Sequence, residues 1–491
     1  MGYAEKRRQK KSGKGYKVPK GILFALLALE IVLAVVLFVS LVDKGMLPNQ
    51  AWGLYIGLLA GIIALGFISM IRKWSTIVML IITGLVCAGL IFSMGFSGAV
   101  INSIKKITNQ GQATISTMHV AVLKSSDIES IEQLKGEQVG YVAGAHNQEI
   151  SRVQTDIDSK VVGVSYTPQA GVTALADSLT GRDVTAIIYN ESYSTLLEET
   201  EGYEDFKDKI RIIYSVDVEH EISGSGSTPQ SDVDVFTLYL SGIDTFGETM
   251  KTSRSDVNVL AVVNMKTKHI LLINTPRDYY VPLTISDGEP DKLTHAGMYG
   301  VDVSMGTLST LYDTDINYYL RMNFSGFERI VDTLGGIDVD SDYEFTSTLN
   351  PKYHYEEGIN HLNGEAALFF ARERYAFETG DNQRGKDHMA IITAVVKKLT
   401  SSPELLTNYQ QIFGSLSNAF QTSMPEDLIY KMVNMQISDP SEWKIESYAV
   451  VGEGDSRTTY SHPNSAAYVT IPDKDSVFEA RDMIEEVKNE Q

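Results

Sequence analysis

The sequence predicts an α/β protein in three parts: a membrane anchor of three transmembrane helices, a small α/β accessory domain, and a larger α/β domain. Three observations predict it. The first hundred residues hold three long apolar segments; beyond them, short apolar runs alternate with helical patterns in two stretches; and a Gly/Ser-rich segment separates those stretches.

The apolar segments are residues 21–42, 51–71 and 75–100, each long enough to cross a bilayer as a helix. Glu30 lies inside the first and is expected to face a neighbouring helix or to be protonated. Residues 1–20 carry eight basic side chains against Glu5, a basic tail that the positive-inside rule keeps in the cytoplasm. Three spans (residues 21–100) then place everything that follows outside. The apolar region is too long and too repeated for a cleaved signal peptide.

Charge divides the same way. The first hundred residues sum to +8, which leaves −28 of the total −20 on the rest of the chain. So acidic a surface disfavours nucleic acid and makes any basic cluster on it a local feature. The single cysteine, Cys87, falls in the third apolar segment, so the exterior part has neither a disulfide nor a thiol nucleophile.

After a polar connector at about residues 102–117 come MHVAVL, EQVGYVAG, KVVGVSYT, VTAIIYN and IRIIYSV, five strand candidates. Between two of them Val172, Leu175, Ala176 and Leu179 recur at helical spacing before Gly181. This predicts an accessory α/β domain over residues 118–222. Its run SIEQLKGEQVGYVAG resembles the start of one lobe of a solute-binding protein, so a spacer and a ligand-binding module both stay open. GSGSTP at 224–229 reads as a linker.

The second domain, residues 230–490, opens with VDVFTLYLSGID, then VNVLAVVN and HILLINTP joined through MKTK. Their continuous apolar character predicts a central sheet covered by helices on both faces. INYYLRMN is a further strand. Ser325 and Glu328 then form a capping box for a short helix with Phe327, Ile330, Val331 and Leu334 on one stripe, stopped by Gly335 and Gly336. The last helix is expected near residues 476–487.

Polar residues stand at the ends of these strands: Asp244, Arg254, Asp256, Arg277 and Asp278. In open α/β sheets a ligand crevice lies off the strand ends, where residues distant in sequence converge. For Arg254 and Asp256 the plain alternative is an exposed turn ion pair. The run ARERYAFETGDNQRGKDHM gathers Arg372, Arg374, Arg384 and Lys386 directly after the apolar ALFF. Two positions on a helix rotate a side chain by about 200°. If Arg372 and Arg374 address one anion, the helix must stop near Ala371, with Gly380 and Gly385 in a loop. Several guanidinium forks together suit a pyrophosphate. Asp244 and Asp256 suit a hard cation bridging to it. A solvated salt-bridge loop with Glu373, Glu378, Asp381 and Asp387 remains the alternative.

SGID at 241–244, RSDV at 254–257, TPRD at 275–278 and RERY with GDNQRGK over 372–386 together resemble the ordered motifs of the LytR-CpsA-Psr family. The likeness covers about residues 230–400. The three-span anchor with an accessory domain resembles the family's capsule-associated branch in streptococci, the CpsA type. The resemblance implies a catalytic domain with a central mixed sheet flanked by helices. It also implies an extracellular phosphotransferase that moves capsular polysaccharide from a polyprenyl-pyrophosphate carrier to cell-wall peptidoglycan through a phosphodiester. The carrier lipid would occupy a hydrophobic pocket beneath the charged mouth.

By motif position, Asp244 and Asp256 would hold Mg²⁺, with Mn²⁺ as the alternative ion. Arg277, Arg372, Arg374 and Arg384 would clamp the diphosphate, with Arg254 at the mouth. Asp381 would orient an arginine or take the acceptor's proton, although guanidinium neighbours make a carboxylate a weak base. The family often has glutamine where Lys386, Asp387 and His388 stand; His388 would either donate to phosphate or pack against the helix MAIITAVVKKL. Tyr279, Tyr280, Tyr299, Tyr318, Tyr319 and Tyr375 divide between core positions and a lipid-pocket lining.

Two other functions fit the same chain: a membrane-bound regulator or sensor of envelope or capsule assembly, and a hydrolase of polyprenyl pyrophosphate in which water replaces the acceptor. Against the regulator, the cytoplasmic part is only a basic tail. The partners expected are the lipid-linked polysaccharide, peptidoglycan, membrane lipid and capsule-assembly proteins, with no nucleic acid.

Overall fold

The computed structural model describes residues 20–43, 49–69, 73–110, 113–222, 233–243, 251–377, 380–402, 412, 416 and 419–491. Two compact units result, residues 1–101 and 102–491. The basic tail, the GSGSTP linker and Asp244 lie outside the described residues.

The first unit contains helices α1 (Lys20–Asp43), α2 (Asn49–Ser69) and most of α3 (Lys73–Gln110). Among the described residues, two stretches are long and apolar enough to cross a membrane, Gly21–Val42 and Ile77–Gly95. The expected middle span is represented by a shorter apolar helix, Trp52–Ile68, so two spans rather than three meet the length requirement. Two such helices support a membrane-anchored protein. Glu30 is fully covered by its surroundings, as a carboxylate in an apolar helix requires.

The polar connector expected after the anchor is not a loop. Its residues continue α3 to Gln110 and, after two positions, begin β1 (Ala113–Leu123). Four of the five strand candidates of the accessory stretch supply strands directly, β1, β2 (Gln138–Val142), β4 (Ala186–Asn190) and β5 (Ile210–Glu221); of the fifth, KVVGVSYT, only its last three residues enter β3 (Ser165–Gln169), the lysine ending a helix and VVGV connecting the two. They lie in the order β3-β2-β4-β1-β5, with β2 parallel to both its neighbours and β1 antiparallel to β4 and β5. Helices α4 (Asn147–Lys160), α5 (Val172–Thr180), α6 (Ser192–Glu198) and α7 (Phe206–Lys209) connect them. The α5 stripe of Val172, Leu175, Ala176 and Leu179 is buried, and Gly181 caps the helix.

The second sheet begins with β6 (Val235–Ile243), β7 (Ser255–Asn264) and β8 (His269–Asn274). After them come the hairpin β9 (Tyr280–Pro282) and β10 (Pro290–Lys292), helices α8 (Leu293–Tyr299) and α9 (Val301–Tyr312), and β11 (Tyr318–Asn323). Helix α10 (Phe324–Thr333) leads into β12 (Ile337–Ser341), β13 (Phe345–Thr346), β14 (His354–Tyr355) and β15 (Gly358–Leu362). The remainder is α11 (Gly364–Arg372), α12 (Asp381–Ser401), β16 (Phe420–Thr422), α13 (Glu426–Ser438), β17 (Lys444–Ala449), β18 (Gly452–Arg457), β19 (Ala467–Pro472) and α14 (Lys474–Asn489).

The six-stranded sheet runs β16-β11-β6-β7-β8-β17. It is mixed: β11 is parallel to β6 and β17 to β8, while β7 opposes both neighbours. The central strands are covered on both faces, as their unbroken apolar runs require. One face packs Leu260, Val262, Leu271 and Ile273 with α9 and α14. The other packs Val259, Ala261, Val263 and Leu272 with α12 and α13. The expected capping box at Ser325 is replaced by an earlier cap, Asn323, whose side chain accepts from the Gly326 amide. Strand β11 ends at Asn323, paired with Ile243, and the helix starts at the next residue. Gly335 and Gly336 end it with φ of 73° and 89°, conformations that favour glycine.

Candidate active site

Strand polarity decides where the site forms. Strands β6, β8, β11 and β17 all end at one edge of the sheet, and β7, running the other way, begins there. The registers Ile243–Ser255, Ile243–Asn323, Val259–Asn274 and Ala449–Asn274 fix that edge. Residues just before β7 and just after β8 and β11 are therefore neighbours.

Asp256 is the centre of this edge. Its Oδ2 accepts from Arg277 Nη1 at 2.6 Å and its Oδ1 from Thr294 Oγ1 at 3.1 Å. Burial alone would raise the carboxyl pKa; the charges of Arg277, Arg384 and Arg254, with the Thr294 bond, outweigh it and hold Asp256 below its ordinary value. One of the expected arginines, Arg277, thus contacts this carboxylate, and two more, Arg384 and Arg254, act on it electrostatically. Arg254 and Asp256 do not make the exposed turn pair offered as the plain alternative: the Arg254 guanidinium is 3% exposed and pairs with Glu199, at the end of α6.

Arg277 is held from behind, because its carbonyl accepts from the Thr294 amide at the start of α8. Asp278 is drawn aside to Lys292, 3.3 Å away. Gly297 of α8 packs directly on the segment that carries Arg254 into β7: a Cβ there would lie 2.5 Å from the Ser253 carbonyl oxygen.

The arginine pair after ALFF resolves as its spacing requires. Helix α11 ends at Arg372, and Glu373 is extended, with φ −65° and ψ 138°, so Arg374 leaves the helix. Arg372 lies over the ring of Phe324, 4.5 Å from its centroid, which brings it to the residue that follows β11. Glu373 is fully buried and builds the turn. Its Oε1 accepts from the amides of Arg374, Tyr375 and Ala376 at 3.0, 3.0 and 3.1 Å and from Thr348 Oγ1 at 2.7 Å; Oε2 accepts from the Thr348 amide at 2.7 Å. Burial would raise this carboxyl; the bonds from Thr348 and the turn amides prevail and lower it.

Gly380, with φ 51°, caps α12, and Asp381 is the first residue of that helix. Gly385 is not in a loop as expected. It lies in the second turn of α12, where a Cβ would come 2.2 Å from Asn274 Nδ2, so its lack of a side chain lets the helix close on the end of β8. Arg384, beside it in the helix, acts electrostatically on Asp256.

His388 Nε2 is 2.9 Å from the Ala371 carbonyl oxygen, so it donates there and ties α12 to the end of α11. Burial, aided by Arg384, pushes its pKa down to about 3. A neutral ring with its proton on Nε2 offers Nδ1 only as an acceptor, which supports packing rather than donation to phosphate. Asp387, its neighbour, is buried with Oδ1 accepting from Gln383 at 3.0 Å, and desolvation raises its pKa to about 7.

Asp387 also lines a cavity of about 550 Å³ between α12, the β12–β15 pair and β17. Met389, Ala390 and Ile359 share its wall with Asp338, Asp340 and Asp342 and with Lys386, Lys397 and Lys398, so it is lined by charges of both signs and is not the apolar slot expected for a lipid. Among the six tyrosines, Tyr279, Tyr318 and Tyr319 are core; Tyr299 packs against the first module; the Tyr280 hydroxyl donates to the Thr458 carbonyl; Tyr375 is exposed.

The donor set at Asp256 fits a hard cation in part. Each oxygen has one donor and keeps lone-pair capacity, and Mg²⁺ characteristically takes one or two carboxylates together with phosphate oxygens and water. Separately, Glu344, His354 and Glu356 bring one ligand atom each within 4.8 Å of one another at the exposed β13–β14 hairpin, a second group that could hold a metal ion.

Sequence reasoning missed Glu373 as a builder of the turn, Thr294 and Gly297 behind the strand ends, Phe324 under Arg372, and Glu199. A glutamate between two arginines invites reading as an ion pair; only its complete burial shows the cap.

A mixed α/β sheet flanked by helices, with guanidinium groups off one edge, in a chain that also has apolar N-terminal helices, defines the class of protein to which the comparisons apply. The family model for the LytR_cpsA_psr family matches residues 188–482, and the chain belongs to that family. It is similar to the polyisoprenyl-teichoic acid–peptidoglycan teichoic acid transferase TagU of Bacillus cereus, 33% identical over 213 residues, 43% of this chain and 66% of the relative. The corresponding TagU of Enterococcus faecalis is 32% identical over 199 residues, 40% of this chain and 64% of the relative. The chain thus matches just under two thirds of the length of these relatives. Among solved structures it is similar to Bacillus subtilis TagV, with 24% identity, a TM-score of 0.45 and coverage of 52% of this chain and 98% of that one. TagT bound to LI-WTA gives 23% identity and a TM-score of 0.43, covering 54% and 95% of the two chains.

Proposed function

We propose that the chain is a membrane-anchored phosphotransferase that moves a glycopolymer from a polyprenyl-pyrophosphate carrier to peptidoglycan on the outer face of the membrane. The observation that carries this is the convergence of Arg254, Arg277 and Arg384 on Asp256 at one sheet edge, in a chain of this family.

Arg277, Arg384 and Arg254 would bind the diphosphate oxygens, with Arg372 and Arg374 entering from the end of α11. An acceptor hydroxyl of peptidoglycan attacks the phosphorus bearing the sugar. The P–O bond to the distal phosphate breaks, polyprenyl phosphate leaves, and the hydroxyl proton passes to a base or to solvent. The arginines stabilise charge on the leaving phosphate, and positioning of the hydroxyl in line supplies much of the rest. Mg²⁺, or Mn²⁺ in its place, would be held by Asp256 and Asp244 and would neutralise diphosphate charge. Asp381 is the proposed base or arginine-orienting group.

For the polymer we propose capsular polysaccharide, because the anchor and accessory module resemble the capsule-associated branch. The relatives' names favour a second reading, teichoic acid; their alignments reach only about two fifths of this chain. The test is to replace Arg277 or Arg374 by alanine in a strain without sibling enzymes and to measure each polymer covalently bound to purified wall. Attachment of capsule should fall at least tenfold. Unchanged attachment of both polymers refutes the transferase proposal, and loss of teichoic acid alone assigns the other substrate.

A further inference from the structure

The geometry points to Glu199 of the accessory module as a displaceable occupant of the diphosphate site, a carboxylate that holds Arg254 until phosphate oxygens replace it. This rests on diphosphate binding at the arginine cluster and names how that site is occupied beforehand.

The accessory module builds much of the segment that presents Arg254. The Thr252 amide donates to the Ile115 carbonyl at 2.8 Å, Lys251 pairs with Glu191 at 3.5 Å, and Arg254 pairs with Glu199. Glu199 itself directly follows α6 and is held there by its neighbour. The Thr200 hydroxyl donates to the Leu196 carbonyl at 2.7 Å and lies 3.0 Å from His462 Nε2 of the second module, which donates to it. The backbone at Glu199 is therefore fixed while its side chain is not: that side chain is 56% exposed, against 3% for Arg254.

This asymmetry is what a displaceable ligand needs. A carboxylate presents the same charge and oxygen geometry to a guanidinium as one edge of a phosphate. Rotation of the exposed Glu199 side chain into solvent releases the buried Arg254 from this ion pair without unfolding either module. The charge of Arg277 as well as that of Arg254 acts on Glu199, so filling or emptying the arginine cluster bears on this carboxylate. A glutamate placed only to fix Arg254 would be expected to share its burial.

The test uses the full chain in detergent and inorganic pyrophosphate as the probe, titrated calorimetrically against the native protein, E199Q, R254A, the E199Q/R254A pair and R277A. E199Q should bind pyrophosphate about five-fold more tightly, the most that a half-exposed ion pair contributes. The gain should vanish on the R254A background, because the two residues act as one unit. Binding that is unchanged or weaker in E199Q, while R277A weakens it, overturns displacement and leaves the diphosphate site standing. If the native chain and E199Q both fail to bind pyrophosphate, the diphosphate site is refuted and displacement with it.

Discussion

Replacing Glu373 by glutamine tests whether one buried carboxylate builds the turn that presents Arg374. The glutamine carbonyl can take the place of Oε1 and keep the amides of Arg374, Tyr375 and Ala376 and the Thr348 hydroxyl as donors. Its NH₂ group must then face the Thr348 amide, 2.7 Å from the present Oε2, donor against donor. One charge-assisted bond is lost, a buried N–H is left unsatisfied, and the other four bonds lose their ionic character. Bonds to charged groups contribute about 1.5–3 kcal/mol each, so the turn should lose about 3 kcal/mol. Hydrogen exchange at the amides of residues 374–376 reads this directly: protection should fall roughly 100-fold, with polymer attachment reduced while the sheet amides keep theirs. The folded pKa of Glu373 is lowered, so its contribution is complete above the unfolded carboxyl value and disappears as pH falls through the folded one. Native-like protection and attachment in E373Q would show that the turn is held by other contacts and that the assignment of Glu373 is wrong.

Three further outcomes are expected. Gly297→Ala should drive a Cβ into the Ser253 carbonyl, costing about 1–3 kcal/mol in chemical denaturation and weakening pyrophosphate binding by displacing Arg254; an unchanged midpoint would refute the close packing of α8. His388→Ala should destabilise at neutral pH, whereas His388→Gln, which can still donate to Ala371, should not. Because the folded pKa of His388 is depressed to about 3, its neutral form contributes stability that is lost as pH falls from about 6.5 towards that value, and H388Q should flatten this dependence in thermal melts. Asp387 behaves oppositely: its folded pKa is raised to about 7, so its penalty builds as pH rises from the ordinary carboxyl value of about 4 to about 7 and is complete above that, and Asp387→Asn should stabilise at pH 8 by on the order of 2 kcal/mol and little at pH 4. A pH-independent effect would contradict its burial.

The parts legible in the sequence are those with local causes. Four apolar runs of the accessory stretch are strands because each is rich in β-branched or aromatic residues over a strand's length, whereas VVGV of the fifth gave way to a connection before β3. The end of α11 at Arg372 followed from asking how two guanidinium groups two positions apart could meet one ion. Where prediction failed, a distant partner decided. Asn323 took the cap from Ser325 because pairing with β6 ends strand β11 there. Gly385 reads as a loop residue, yet Asn274 of β8 packs where its side chain would be. Nothing near Glu199 announces that it meets Arg254, since only the docking of one module on the other brings them together.

Strand β7 runs against its neighbours, and the candidate site is therefore assembled from residues 254, 277, 324, 372 and 384, no two of which share a hairpin turn. No early folding fragment contains it: closing it requires nearly every long-range pairing of the sheet, the slow part of forming such a topology. Anion affinity should thus arrive in one step with the completed sheet. A half-folded chain would present these guanidinium groups apart from one another and hold no anion among them.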